Sequence, residues 1–480
     1  MASLKKEFIN GVFWSAIDKY SGLMVSIIVS MVLARILSPK EYGIIAIATV
    51  FIYFLQMFCT MGLGPAVIQR KDLSKDDLNS IFTFAVFVGF LVSLLFFCSS
   101  WAIADFYDNS LLIPICQILS LQLLFASANI VPNALMLKNK KFKQIAKRTI
   151  LLQITTGILS VFAAYNGLGV FSLVISPVLT AIGIFIYNNK FYTLRIDFKF
   201  RFEPIKRIFS YSSYQFLFDF VNYFSRNLDK LIIGRYMSIS SLGIYEKSYR
   251  LMQLPMNTLT SVVNPVLQPL LRNMQDDTAE MATKYNKLVS LMSSISFPLG
   301  IFCSFSACEI IRIFYGDNWD SAISVFSILS LSLPLQIILS SSGALFMASN
   351  NTKTQFWVGM RNTLTTVTGF VIAAIFWGTI EAIAWAWVIT LFLNFVCTYF
   401  ILYRYVFHTN FLQFYKILIN PALNAILLAV VLSAFMACFE FSVYLMFIIK
   451  VIISLGVSLL FIQYTMRYDI FLLLKNIFKK

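Results

Sequence analysis

Charge is what this chain of 480 residues has least of. Only 12% of it is Asp, Glu, Lys or Arg, and 59% is hydrophobic. Soluble domains average about 25% charged residues. With a mean hydropathy of +0.78, the deficit marks an integral membrane protein. There is a single histidine, His408, and seven cysteines (Cys59, Cys98, Cys116, Cys303, Cys308, Cys397, Cys438) that sit in apolar runs without a C-x-x-C spacing. Metal sites and disulfide frameworks need clustered ligands. No metal and no cofactor is therefore expected, and the cysteines read as small apolar packers. A P-loop, an H-E-x-x-H and a G-x-S-x-G with a partner histidine are all missing, which argues against an ATP motor or a hydrolase. The alternation and aromatic girdles of a membrane barrel are missing too.

What is present is a series of long apolar runs. Segments of about 17–27 residues can cross ~30 Å of hydrocarbon as helices. Candidates lie near 11–35, 42–66, 80–104, 111–137, 148–165, 168–189, 207–236, 244–270, 287–314, 320–348, 354–377, 380–405, 414–438 and 442–466. The first run follows Met1-Ala2-Ser3-Leu4-Lys5-Lys6 and lacks an A-x-A-like cleavage site, so it reads as a retained span. The formal net charge of +16 would suggest nucleic acid in a soluble protein. Here the basic residues fall mostly in alternate connections. Lys138, Lys140, Lys141, Lys143, Lys147 and Arg148 share one, and Lys353 and Arg361 another. The opposite connections hold only Arg35, Lys40, Arg235, Lys247, Arg250 and Arg312. The bias sets both termini inside and excludes nucleic acid as a partner. Gln275–Lys287 reads as a separate short helix.

The chain also matches itself. Ala34-Arg35-Ile36-Leu37-Ser38 stands 200 positions before Gly234-Arg235-Tyr236-Met237-Ser238, and Gly43-Ile44 the same distance before Gly243-Ile244. Phe106-Tyr107 pairs with Phe314-Tyr315, Ser120-Leu121 with Ser330-Leu331, and Ala134-Leu135 with Ala344-Leu345. Ordered matches at a nearly constant offset mean duplication. The unit holds six spans, so both copies enter the membrane from one side. The expected fold is an all-α integral membrane protein with about 14 transmembrane helices. Two six-helix bundles would be related by a pseudo-twofold along the membrane normal, with an extra helix pair. The expected domains are an N-terminal bundle over 1–190, a cytoplasmic linker over 191–206, a C-terminal bundle over 207–406, and an appended helix pair with a basic tail over 411–480.

Several spans carry polar residues at helical spacing. In the seventh, Asp219, Asn222, Tyr223, Arg226, Asp229 and Lys230 share a face. The first has Ser15, Asp18, Lys19, Gly22, Ser26 and Ser30, and the second Tyr53, Gln56, Thr60 and Gly64. The eighth has Gln253, Asn257, Ser261, Asn264 and Gln268. A charge at the centre of a membrane helix costs on the order of 2.5–3.5 kcal/mol, so such faces line water or a substrate path. The competing reading is that Ser, Asn and Gln merely hydrogen-bond a neighbouring helix. Asp18, Lys19, Asp219, Asn222, Tyr223, Arg226, Lys230, Asn257 and Asn264 are the candidate substrate-binding residues. Cations among them suit a phosphate. Lys450, isolated in the last span, reads as a snorkelling or packing residue.

The run L-A-R-I-L-S-P-K-E-Y-G-I-I-A at 33–46, with G-L-G-P-A-V-I-Q-R-K-D-L at 62–73, resembles the opening of Wzx-type polysaccharide flippases. N-L-D-K-L-I-I-G-R at 227–235, L-G-I-Y at 242–245, V-V-N-P-V-L at 262–267 and F-Y-G-D-N-W at 314–319 agree. The superfamily also holds the MATE drug exporters and the peptidoglycan lipid flippase, and the colanic-acid exporter branch is the most similar. The resemblance implies a transporter and not an enzyme. It would move undecaprenyl-diphosphate-linked oligosaccharides across the bacterial inner membrane by alternating access. A coupling proton or sodium ion and the polysaccharide polymerase machinery are candidate partners. A cation-coupled multidrug antiporter is the alternative within the superfamily. A polymerase or ligase would need a large periplasmic loop, and none is visible.

Overall fold

The computed structural model describes residues 2–60, 62–70, 72–197, 223, 227–272 and 277–465. Among the described residues it contains helices and no strand. Two compact units divide the chain, Met1–Gly243 and Ile244–Lys480. The first holds α1 (Ala2–Ile36), α2 (Pro39–Thr60), α3 (Leu63–Gln69), α4 (Lys75–Phe106), α5 (Leu112–Ala128), α6 (Ile130–Lys138), α7 (Phe142–Tyr165) and α8 (Phe171–Asn189). Helical residues 227–236 and the first turn of α9 (Ile239–Arg272) also belong to it. The second unit continues with α10 (Thr278–Phe305), α11 (Ala307–Tyr315), α12 (Ala322–Ser330), α13 (Leu333–Leu339), α14 (Ser342–Ala348), α15 (Thr352–Phe376), α16 (Ile380–Ile401), α17 (Phe411–Cys438) and α18 (Val443–Thr465).

Among the described residues ten helices are long and apolar enough to cross a membrane, or up to twelve if each bent pair is one span. Most of the expected span at 207–236 lies outside the described residues. The expected span at 244–270 lies within α9, a helix too polar to pass as apolar. Two expected spans are broken. One bends by 40° between α5 and α6, and the other by 46° after α12. The span expected over 287–314 instead ends at Phe305, and α11 is a separate helix after Ser306. The short helix expected over 275–287 is not separate either. From Thr278 it is the first part of α10, because Asp277 caps that helix by accepting from the Glu280 amide at 2.8 Å.

Local chemistry sets the other ends. Ser74 and Asp77 form a reciprocal capping box at the start of α4, at 3.1 and 3.0 Å. Pro39 opens α2, where its missing amide costs no hydrogen bond. Positive-φ residues follow α4, α6 and α7 at Asp108 (φ 52), Lys140 (φ 55) and Gly167 (φ 78). In the second unit they recur after α11, α14 and α15 at Gly316 (φ 88), Asn350 (φ 55) and Gly378 (φ 62). Asp108 follows Phe106-Tyr107 as Gly316 follows Phe314-Tyr315, so the turns recur where the sequence matches do. Arg312 clamps the α11–α12 connection by a two-pronged bond to Asp320, at 2.9 and 2.7 Å. That bond holds the Asp320 carboxyl below its ordinary range.

Small residues let the helices approach, as expected where lipid supplies no hydrophobic drive between them. Gly11 faces Phe142, Gly22 faces Gln153 and Gly157 faces Val29. The ascending order of these pairs makes α1 and α7 parallel and fixes their register. Ser93 donates to the Ser120 carbonyl and Ser127 to that of Ala85, at 2.6 and 2.7 Å, which pairs α4 with α5 antiparallel. The core of the second unit is aromatic. Tyr399 stacks on Phe414 at 4.1 Å, and its hydroxyl lies 2.6 Å from that of Tyr285. Phe414 belongs to α17, so the last helix pair helps to build this core.

Lys450 does not snorkel. It is fully buried, and its ammonium donates to Glu309 at 2.7 Å and to the Phe305 carbonyl at 2.8 Å. α18 is thus tied to α11. Removing one partner of a buried pair costs about 3–5 kcal/mol, whereas removing both can be nearly neutral. Lys450→Met is therefore expected to lower the thermal unfolding temperature in detergent and the amount of protein in the membrane. Lys450→Met with Glu309→Gln should recover most of the loss. No recovery would mean the pair does not hold the helix.

Candidate functional site

The polar stripe of α1 divides in two. Gly22 is buried, and a methyl placed on it would lie 3.0 Å from the Gln153 side-chain oxygen. Ser15, Lys19 and Ser26 are exposed. Asp18 stands between, half-buried, with Oδ1 buried and without a hydrogen-bond partner. Because α1 and α7 run parallel in the register set by Gly11, Gly22 and Gly157, Asp18 is level with Arg148 and Thr149.

Arg148 is the residue that loop-charge reasoning missed. It was expected in a basic connection; it sits in the second turn of α7, only 5% exposed. Its Nη1 donates to Asn188 at 2.5 Å and more weakly to Asn133 at 3.4 Å. Asn188 is fully buried and donates in turn to Asn129 at 2.7 Å. Arg148 Nε has no hydrogen-bond partner, and the Asp18 carboxylate acts on the guanidinium through space. Three asparagines and one acid thus hold a cation inside an apolar helix layer. A spacing of one helical turn between Asp18 and Gly22 was the only signal, and it concerned the partner helix.

The second unit holds a related network on α15 and α16. Arg361, also expected in a connection, lies within α15 and is half-buried. It donates to the side chain of Asn362 and, at 3.4 Å, to the Asn394 carbonyl. Asn394 donates to Thr366 at 3.0 Å, and Asn362 donates to Thr398 at 3.2 Å. Again the arginine Nε and an asparagine oxygen lack hydrogen-bond partners. Lys247 and Arg250, expected in an outer connection, belong to α9. Lys247 is buried 4.8 Å over the Tyr315 ring, and Arg250 binds Glu246 at 2.6 Å.

Of the other expected site residues, Asp219, Asn222 and Arg226 lie outside the described residues, as does the Asn264 side chain. Tyr223 donates its hydroxyl to the Val50 carbonyl and packs 5.7 Å from the Phe54 ring. Lys230 is half-buried, and its amide donates to the buried Asp229 carboxylate at 2.8 Å. Asn257 is exposed on α9, as Tyr53 and Thr60 are on α2. In the first unit the structure brings Asp18 together with Arg148. Among the described residues no three His, Cys, Asp or Glu side chains are grouped to hold a metal ion.

Known proteins with the same organisation give this geometry a context. A family model described as polysaccharide biosynthesis protein matches residues 32–324. The teichuronic acid biosynthesis protein TuaB of Bacillus subtilis (strain 168) is 24% identical over 429 residues, 88% of each chain. The lipopolysaccharide biosynthesis protein WzxC of Escherichia coli (strain K12) is 23% identical over 416 residues, 86% of this chain and 84% of WzxC. A structure of the lipid II flippase MurJ in an inward closed conformation superposes with a TM-score of 0.76 at 17% identity, covering 95% of this chain and 99% of MurJ. An inward-facing MATE multidrug transporter gives 0.60 at 11% identity, covering 80% and 96%. At such identities the two structures speak for the fold alone. The family match takes in more than half of the residues, and this multi-pass membrane protein belongs to the polysaccharide biosynthesis protein family.

Proposed function

We propose that the protein is a flippase for lipid-linked oligosaccharides. It would carry undecaprenyl-diphosphate-linked repeat units from the cytoplasmic to the periplasmic leaflet of a bacterial inner membrane. The observation that carries the reading is Lys19, exposed on α1 one position from Asp18 and level with the buried Arg148. Against lipid an exposed lysine within an apolar span is costly unless it snorkels to the interface, and a water-filled path removes that cost. A diphosphate would supply the counter-charge, and the exposed hydroxyl and amide groups of Tyr53, Thr60 and Asn257 suit sugars. Lys230 and Arg226 belong to the same proposal. So do the fourteen-span, two-bundle architecture and its pseudo-twofold, which the recurrent positive-φ turns support. The basic connections favour cytoplasmic termini. Asp18 is the acid that would answer to a coupling proton or sodium ion.

The fold likeness to MATE transporters keeps a cation-coupled drug antiporter as the second reading. Lys19 and Arg148 beside Asp18 make it the weaker one, because a cationic drug would meet two positive groups.

Lys19→Ala is expected to cut surface polysaccharide at least tenfold at equal protein level, with Lys19→Arg retaining most of it. Full export by the alanine variant would remove Lys19 from the mechanism. Arg148→Gln should do the same while the lipid-linked precursor accumulates in the cells. If precursor levels stay flat and drug resistance falls instead, the antiporter reading replaces this one. For Arg226, alanine should abolish export and lysine should keep part of it. Full export by the alanine variant would show that the site needs no cation there.

A further inference from the structure

The buried residues of α18 are Lys450 and Ser454. Ser458 continues their line, since the three stand four residues apart and share one face. An apolar helix thus turns polar side chains toward protein, where each needs a hydrogen-bond partner. Lys450 is met by Glu309 and by the Phe305 carbonyl. The rest of the line is not met by protein. The Ser454 and Ser458 hydroxyls are buried without a hydrogen-bond partner among the described residues. So are both polar atoms of the Asn424 amide on α17, the Ser296 hydroxyl on α10, the Ser306 hydroxyl just beyond it, and the second oxygen of Glu309. Asn424 is 1% exposed, and Ser296 and Ser306 are fully buried.

These groups lie along one seam of the second unit. Thr278 donates to the Phe407 carbonyl at 3.4 Å. Tyr285 and Phe414, each seven residues further on, both meet Tyr399. Equal steps in one direction make α10 and α17 parallel and bring Ser296 level with Asn424. A short connection joins α17 to α18, so these two run antiparallel. Asn424 and Ser458 stand about equally far from it and are level too. On α18 the line then climbs through Ser454 to Lys450, which binds Glu309 on α11.

The chemistry of the set identifies what it binds. Each serine hydroxyl both donates and accepts, and the Asn424 amide offers a donor nitrogen and an acceptor oxygen. A cation would leave that nitrogen unpaired. Water donates and accepts at once, and buried water takes two to four polar partners of this kind. Residues one turn apart on a helix are separated by about 6 Å, the span of two hydrogen bonds through one water. We infer that the seam between α10, α17 and α18 holds a file of bound water molecules. It runs from Glu309 and Lys450, past Ser454, to Ser458, Asn424 and Ser296. The last helix pair is therefore held to the second unit through water as well as through its ion pair.

The test is hydroxyl-radical footprinting of the full-length chain in lipid nanodiscs. A brief X-ray pulse splits water, and the radicals oxidise only side chains beside it. Leu428 lies one turn beyond Asn424 on α17 and is fully buried, while Leu119 on α5 is 1% exposed. Leu428 should be oxidised at least tenfold faster than Leu119, read by mass spectrometry. Asn424→Leu with Ser454→Ala and Ser458→Ala should bring it down to the Leu119 rate. Ser454→Ala or Ser458→Ala alone, which sheds one hydroxyl, should lower it at least threefold. Oxidation of Leu428 in the native chain no faster than that of Leu119 means a dry seam and overturns the inference. So does fast oxidation that the triple variant leaves unchanged. If the triple variant does not accumulate, the native comparison and the single serine variants decide.

Discussion

Inside hydrocarbon a polar group has no water to fall back on, and every charged side chain in these helices has to be answered for by the protein. The chain meets that demand in three ways. Lys450 and Glu309 satisfy each other in full burial. Arg148 is held by asparagines from two neighbouring segments, with Asp18 near but unbonded. Lys19 is left exposed on the face of α1. These arrangements differ in what they leave over. The first uses its charges to dock a helix. The third leaves a cation open to whatever lies against that face.

The long helices could be read from the sequence because length and hydropathy decide them, and α4, α7, α8, α15, α16, α17 and α18 all fall close to the expected runs. Breaks within a run could not. Asn129 and Ser306 interrupt apolar stretches through backbone geometry that hydropathy averages away. Charged residues near a span's inner end were the other difficulty. Arg148 looks like a loop residue because basic neighbours precede it and apolar ones follow, and Arg361 because the charge pattern groups it with Lys353 in one connection. Only the positive-φ turns at Lys140 and Asn350 show that each helix has already begun. Tertiary partners such as Asn188 and Asn394, some thirty to forty residues on, carry no local signal.

Lys450 illustrates the same limit from the other side. One cation in an apolar helix is compatible with snorkelling, packing or pairing. The choice depended on Glu309, which sits on a short helix that had been merged with the span before it. The boundary between Phe305 and Ala307 thus decides the partner, and with it a reason for the last helix pair to belong to the second unit.

The duplication expected from the sequence matches would have a physical consequence. When one ancestral unit is copied, a position that touches its own copy meets an identical chemical environment, and only glycine can bring two helical backbones that close. Gly43 and Gly243 each lie against the carbonyl four residues before the other. Arg148 and Arg361 are both held by asparagine, Arg148 through the side chains of Asn188 and Asn133, Arg361 through the Asn362 side chain and the Asn394 carbonyl. A polar network buried inside one unit has to stay satisfied. Steric exclusion at a glycine tolerates no side chain, and a buried arginine among amides cannot be removed without leaving those amides unpaired.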